Sequence, residues 1–259
     1  MNKINKLNKN DFNNLLKNLV KIGAGSESVV YRLNKNFILK DLMDESLMEV
    51  MHEDNVIYKE KDILKFSNID TKSYFFTKGI IYVDDDLRCC IMNKCNGYVV
   101  NYIDPLSIKI PSLLNAIDSF TEDTKKISKM HILGYDMLYN FMFDGISFGA
   151  IDTIHYNLSD KDENKIFNHN ISYFNEEISE FITELYFEDF VTQDKELNEM
   201  YVLLKDGEFN NLNTYVKSFA KKLSEYCNKD IIYLSDASKA IKENDDMTYP
   251  CCPIYKLKK

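Results

Sequence analysis

The chain contains 259 residues, which is enough for one large domain or for two lobes. Hydrophobic residues make up 45% of it and aromatic residues 13%, so a sizeable core can form. The net charge of -9 argues against a protein that binds nucleic acid through clustered Lys and Arg, and against one that binds an anionic membrane surface. We therefore expect neither nucleic acid nor a membrane among the partners.

The amino-terminal composition and the cysteines indicate a cytoplasmic protein. Residues 1–18 are rich in Asn and Lys and lack the apolar stretch of a signal peptide, and no apolar run in the chain approaches the length of a membrane span. The six cysteines include no Cys-x-x-Cys pair, so we expect reduced thiols. A zinc site made of Cys251, Cys252 and a distant His is a less favoured alternative.

Strand patterns dominate the first part of the chain, after a polar extension at 1–18. The segment Leu19–Lys40 contains three short apolar runs separated by turn residues, which predicts an antiparallel three-strand meander. The segment Asp44–Phe66 carries apolar residues at helical spacing. Two more strands are predicted within Tyr74–Met92, around an acidic turn at Asp84–Asp86.

The rest of the chain predicts helices that enclose a small β-like patch at Phe141–Tyr156, which Asp144–Gly145 interrupts. Apolar residues at helical spacing predict helices at Ser112–Met130, Ile171–Phe190, Glu196–Leu204, Leu212–Tyr226 and Ser235–Glu243. This order predicts an α+β fold, with a small antiparallel sheet and one main helix first and a mainly helical part after it.

The turn after the first predicted strand has the composition of a phosphate-binding loop. Gly23 and Gly25 would let the backbone approach a polyphosphate, and Ser26 could donate to a phosphate or simply favour the turn. Val30 is predicted to cover an adenine, and Lys40 can reach the α- and β-phosphates from the end of its strand. Two glycines in a hairpin also occur in ordinary turns, so the pattern is informative only together with the lysine and the helix that follows.

These residues resemble the amino-terminal lobe of the protein-kinase-like superfamily, which includes eukaryotic-type protein kinases, aminoglycoside phosphotransferases and choline kinases. The resemblance is to a divergent, bacterial-type member. It implies a two-lobed fold with an N-lobe at 19–92, a hinge at 93–97 and a helical C-lobe at 98–259 that contains a catalytic hairpin at 134–156.

The same resemblance implies further nucleotide-binding residues. Glu60 would hold Lys40 in an ion pair, with Glu49 and Glu53 as rival positions on the same predicted helix. The residues that would line or hydrogen-bond the adenine are Met92, Asn93 and Cys95.

The catalytic hairpin is recognised by three polar residues. Asp136 would orient or accept the proton of an acceptor hydroxyl, and Asn140 and Asp152 would hold Mg²⁺, which prefers oxygen ligands. The alternative is an ordinary hairpin with incidental polar residues. The segment departs from the family because its Asp-to-Asn spacing is one residue short, because it has no Lys or His between these two residues, and because Thr153-Ile154 replaces Phe-Gly.

The sequence thus predicts an ATP- and Mg²⁺-dependent phosphotransferase that acts on a hydroxyl of a protein or of a small molecule. The alternative is a pseudokinase, which would serve as a nucleotide-binding or protein-interaction module without phosphoryl transfer. The missing cation in the catalytic loop favours this alternative. A third possibility is an unrelated α+β domain.

Overall fold

The computed structural model of the protein describes residues 4–25, 28–42, 60–135, 137–208, 211–243 and 255–257. The chain contains both sheets and helices, so the predicted α+β class is confirmed. It divides into two compact units, one of Met1–Cys95 with Asp152–His155 and one of Asn96–Ile151 with Tyr156–Lys259. Among the described residues, no helix is both long enough and apolar enough to cross a membrane. The kinase-like arrangement of lobes stays a prediction.

The first unit is built on a six-stranded sheet. Its strands are β1 (Ile4–Leu7), β2 (Val20–Ala24), β3 (Val29–Arg32), β4 (Phe37–Asp41), β5 (Thr77–Val83) and β6 (Asp86–Asn93). Their order across the sheet is β1-β5-β6-β4-β3-β2, and every pair except β1 with β5 is antiparallel. The predicted meander corresponds to β2, β3 and β4, and the predicted second pair corresponds to β5 and β6.

The amino-terminal segment forms part of this unit rather than a separate extension. Its strand β1 pairs in parallel with β5, and its helix α1 (Lys9–Lys17) packs on one face of the sheet. Phe12 is 2% exposed and joins an apolar cluster with Leu39 and Cys89. The composition does not indicate this role, because Asn and Lys dominate the segment and its few apolar residues lie on a single helix face.

The opposite face of the sheet carries a second apolar cluster. Cys90 and Met92 are buried in it with Ile80, while the adjacent Cys89 faces the helix α1 side, as strand alternation predicts. The 3₁₀ turn Thr153–His155 contributes Ile154 to the same cluster.

Only the end of the predicted helix at Asp44–Phe66 falls within the described residues. It is a single turn, α2 (Glu60–Ile63), and Ile63 packs into the second cluster. Residues 43–59 lie outside the described residues, as do the two rival glutamates predicted there.

The second unit contains five helices among its described residues, together with short strands. The helices are α3 (Ile110–Lys129), α4 (Glu163–Thr183), α5 (Glu188–Gln193), α6 (Lys195–Lys205) and α7 (Leu212–Cys227). The strands are β7 (Tyr98–Val99), β8 (Ile132–Leu133), β9 (Phe141–Phe143), β10 (Phe148–Ala150) and β11 (Asn157–Leu158). Strands β9 and β10 form the hairpin expected within the predicted catalytic segment.

Aromatic packing fixes this hairpin against two helices. The ring of Phe174 from α4 stacks on Phe120 of α3 at a centroid distance of 4.0 Å. It also meets the edges of Phe141 and Phe148, one from each strand of the hairpin. The hairpin is therefore anchored to α3 and α4 through one buried aromatic group.

Two predicted helices differ from the structure. The helix expected at Ile171–Phe190 starts earlier, because Asp162 caps the first turn of α4 by accepting the N–H of Asn164. The segment Ser235–Glu243 is not a helix and contains only the end of a 3₁₀ turn, in which Asp236 accepts backbone N–H groups from the two residues before the turn.

Candidate functional site

Strand register brings three of the predicted nucleotide-binding residues into one row. Gly23 pairs with Val30 across β2 and β3, and Val30 pairs with Lys40 across β3 and β4. Directly paired residues project to the same face of a sheet, so these three positions share the face that carries Cys90 and Met92. An irregularity in β2 between Lys21 and Gly23 sets this register.

The loop glycines have no evident structural requirement. Neither Gly23 nor Gly25 has a positive φ, and a Cβ added at either position would meet no described atom within 4 Å. Gly97 differs, because its φ is +91° and a Cβ there would come within 2.1 Å of the Phe143 carbonyl oxygen. The absence of described atoms around these two positions suits a loop that receives a ligand. Ser26, the next predicted residue, lies outside the described residues.

The predicted adenine-contacting residues lie at the end of β6. Met92 is buried and pairs with Ile38, and Asn93 pairs with Phe37. The N–H of Lys94 donates to the carbonyl of Asn36, so the backbone stays bound to the neighbouring strand one residue beyond β6. Cys95 follows, half-buried, and forms no disulfide with a described residue.

An ion pair joins two predicted residues that are far apart in the sequence. Lys40 Nζ lies 2.5 Å from Asp152 Oδ1, and both residues belong to the first unit. Lys40 is only 6% exposed although it carries a charge. The second oxygen of Asp152 accepts no hydrogen bond from a described residue, so this carboxylate could also serve as a ligand for a cation such as Mg²⁺.

The two residues after Asp152 hold it in place. The hydroxyl of Thr153 donates to the carbonyl of Phe75 at 2.8 Å, and Ile154 is buried in the second cluster. Asp152 itself has a φ of +60°, a left-handed conformation that is uncommon outside glycine. Such conformations persist where the surrounding structure enforces them, and they are frequent at functional sites. The departure from Phe-Gly at this point therefore has a local structural role.

Glu60 does not pair with Lys40, in contrast to the expectation. Its Oε2 accepts the hydroxyl hydrogen of Tyr82 at 2.9 Å, and this hydrogen bond raises the pKa of Tyr82. The sequence placed the glutamate on a helix near the lysine, but Asp152 occupies the position beside the lysine instead.

A buried thiol lies beside the ion pair. Cys90 pairs with Lys40 across β6 and β4, and burial raises the pKa of its thiol to about 12. The thiol is therefore neutral at physiological pH and does not compete with Asp152 as an ionic partner of Lys40.

In the second unit, α4 fixes the start of the predicted catalytic hairpin and the strand before it. The side chain of Asn170 accepts the N–H of Gly134 and donates to the carbonyl of Ile132, both at 2.8 Å. His169 also contacts the Gly134 carbonyl. Two residues further on, Asp136 lies outside the described residues, so its predicted role stays a prediction.

Asn140 stands at the base of the hairpin. Its N–H donates to the carbonyl of Met137, and its carbonyl accepts the N–H of Ile151, the residue before Asp152. The backbone of Asn140 is thus fixed from both sides of the hairpin.

One buried acid in this region was not expected from the sequence. Glu177 of α4 is 2% exposed, and its Oε2 accepts the N–H of Tyr139 at 2.5 Å. Burial raises the pKa of its carboxyl to about 8. Its position in the sequence does indicate burial, since helical spacing places Glu177 on the same face as Asn170, Phe174 and Phe181. An ionisable residue on a buried face lowers stability unless it has a specific partner.

The described residues contain no cluster of three or more His, Cys, Asp or Glu that could bind a metal ion. The zinc site considered from the sequence involves Cys251 and Cys252, which lie outside those residues. A magnesium site is chemically different, because it requires few protein ligands when nucleotide phosphates supply the others.

The search against known protein families and the search against curated proteins both found no match.

We expect Lys40→Met and Asp152→Asn to show coupled effects on stability. Either replacement leaves one half-buried or buried group without its ionic partner, which costs more than the loss of a surface pair. A double-mutant cycle, measured by urea denaturation, should give a coupling free energy of about 2 kcal/mol. The matched control is the exposed pair Lys125 and Glu122, for which we expect no measurable coupling. Equal coupling in both cycles would contradict the contact.

Proposed function

We propose that this protein is an ATP- and Mg²⁺-dependent phosphotransferase of the protein-kinase-like type. The observation that carries the proposal is the ion pair between Lys40 and Asp152. The sequence assigned these residues separately, one as the phosphate-binding lysine and the other as a metal ligand, from motifs 112 residues apart. The pairing of two residues assigned from separate motifs favours this proposal over an unrelated α+β domain.

The strand row supports a phosphate site in the first unit. Gly23, Val30 and Lys40 lie at positions on one face of the sheet, and no described atom comes within 4 Å of a Cβ added at either loop glycine. In this proposal, the loop backbone donates N–H groups to phosphate oxygens and Lys40 supplies a positive charge to them. Val30 and Met92 would contact the adenine, together with the backbone of Asn93 to Cys95.

The acidic and amide residues complete the proposed chemistry. Asp152 and Asn140 are the proposed ligands of Mg²⁺, and Asp136 would accept or orient the proton of the acceptor hydroxyl. Bound Mg²⁺ would neutralise negative charge on the phosphates. Catalysis would come mainly from positioning and from charge stabilisation. Glu60 lies on the same face of the first unit but is bonded to Tyr82, so its contribution would be indirect.

We expect nucleotide binding to depend on Lys40. ATP, added at about a hundred times its dissociation constant, should stabilise the wild type by about 2.7 kcal/mol and raise its melting temperature by several degrees. Lys40→Ala should abolish the shift because it removes the charge that faces the phosphates. Gly25→Ala should reduce the shift while leaving the ligand-free melting temperature unchanged, since a methyl group at that position meets no described atom.

The control is Lys35→Ala, which removes the same charge from the exposed turn between β3 and β4. This variant should bind like the wild type. A wild type that shows no shift, or a Lys40→Ala variant that shows a normal one, would overturn the proposal. A normal shift combined with no ATP turnover for any hydroxyl acceptor would favour the pseudokinase, for which the loop without Lys or His between Asp136 and Asn140 is the supporting feature.

A further inference from the structure

Tyr139 holds an unusual backbone conformation next to a proposed metal ligand. Its φ is +63°, which is rare for a bulky residue, and its side chain is 65% exposed, so packing of the ring does not enforce the conformation. The contact that does reach this residue is the hydrogen bond from its N–H to the carboxyl of Glu177. Asn140 follows immediately in the chain.

Burying the carboxyl group of Glu177 costs free energy, and this cost is only partly offset by its hydrogen bond to Tyr139. Its side chain is buried, and its Oε1 has no hydrogen-bond partner among the described residues. Among the described residues, the charged groups that act on it are the acids Glu180 and Glu176, and both raise the pKa of its carboxyl. A buried carboxyl with no cation beside it lowers stability, and residues of this kind are usually kept where function needs them.

We propose that Glu177 is a positioning residue for Mg²⁺ binding, acting on Asn140 through the backbone of Tyr139. This inference rests on the proposed function. The backbone nitrogen of Tyr139 lies 2.5 Å from Glu177 Oε2, and this hydrogen bond fixes the backbone orientation of the residue before Asn140. The hydrogen bonds from Asn140 to Met137 and from Ile151 to Asn140 then hold the residue itself. Groups that orient a metal ligand without touching the metal typically change its affinity when they are removed.

The experiment compares Glu177→Met with Glu177→Gln. Met fills a similar volume but accepts no hydrogen bond, whereas Gln keeps an acceptor oxygen. In saturating ATP, Mg²⁺ is titrated and the rise in melting temperature is followed, relative to each variant in ATP with EDTA. Amide hydrogen exchange of the peptide that contains residues 139 and 140 is measured in parallel. Glu163→Gln, which removes a carboxylate from the exposed first turn of the same helix, is the control.

We expect Glu177→Met to need about tenfold more Mg²⁺ than the wild type and to keep the stabilisation by ATP in EDTA. Its amides at 139 and 140 should exchange faster by about tenfold. Glu177→Gln and the control should match the wild type in their Mg²⁺ requirement, and neither should exchange faster than the wild type at residues 139 and 140. A purely structural role would leave the Mg²⁺ requirement unchanged.

Two results would overturn the inference alone: an unchanged Mg²⁺ requirement in Glu177→Met, or a Gln variant that behaves like the Met variant. A wild type that binds no ATP, even in EDTA, would instead show that the proposed function is wrong and would overturn the inference with it. The hydrogen exchange readout needs no nucleotide, so an unchanged rate in Glu177→Met would overturn the inference whatever the nucleotide experiments show.

Discussion

Asp152→Asn is expected to lower phosphoryl transfer from ATP by about a thousandfold. The replacement removes the carboxylate that is proposed to bind Mg²⁺ and that pairs with Lys40 at 2.5 Å. Asp136→Asn should cause a loss of the same order, because it removes the proposed proton acceptor. The rate is measured as ADP released in the presence of a hydroxyl acceptor.

The matched control for these variants is Asp144→Asn, in the turn of the same hairpin. Asp144 accepts the N–H groups of Ile146 and Ser147, and an Asn side chain can make the same bonds. We expect this variant to keep wild-type activity and stability. Wild-type turnover in Asp152→Asn, or an equal loss in all three variants, would contradict the assigned roles.

Glu177→Gln is expected to stabilise the protein increasingly as the pH rises. Below pH 4.5 the carboxyl of the wild type is protonated in both the folded and the unfolded chain. Between that value and the folded pKa of about 8, the unfolded chain loses its proton while the folded chain keeps it. The free energy of unfolding of the wild type therefore falls by about 1.4 kcal/mol per pH unit, and it stops falling above the folded pKa.

Gln does not titrate, so the stability difference between the variant and the wild type should grow by about 3.5 kcal/mol from pH 5 to pH 8. Urea denaturation at several pH values measures this difference. Glu163→Gln serves as the control because its carboxylate is exposed at the start of α4, and its stability should follow the wild type. A pH-independent difference for Glu177→Gln would show that the carboxyl is not held protonated in the folded protein.

Some parts of the fold could be predicted because their signals are local. Alternating apolar residues and turn residues predicted the meander of β2, β3 and β4, and apolar spacing predicted α3, α6 and α7 within a few residues. The strand and helix of the amino-terminal segment were not predicted, for the converse reason. Its composition is polar, and only contact with the sheet makes Phe12 part of a core.

Helix ends were less predictable, because side chains that compete for the backbone decide them. Asp162 starts α4 well before the apolar pattern becomes clear, whereas Asp236 binds N–H groups outside a helix and leaves only a 3₁₀ turn. An aspartate thus caps the start of a helix in one segment, whereas in the other segment an aspartate binds N–H groups where no helix forms.

The sequence by itself determined the α+β class, and it supplied the residues of the proposed nucleotide site: two loop glycines, Lys40, and the Asp and Asn residues of the hairpin. Only the tertiary structure decided which of them meet. Asp152, not Glu60, lies against Lys40, and Glu177 reaches Tyr139 across 38 residues. The physical reason is that periodicity reports which face of an element is buried, whereas the partner of a buried charge depends on strand register and on packing between distant segments.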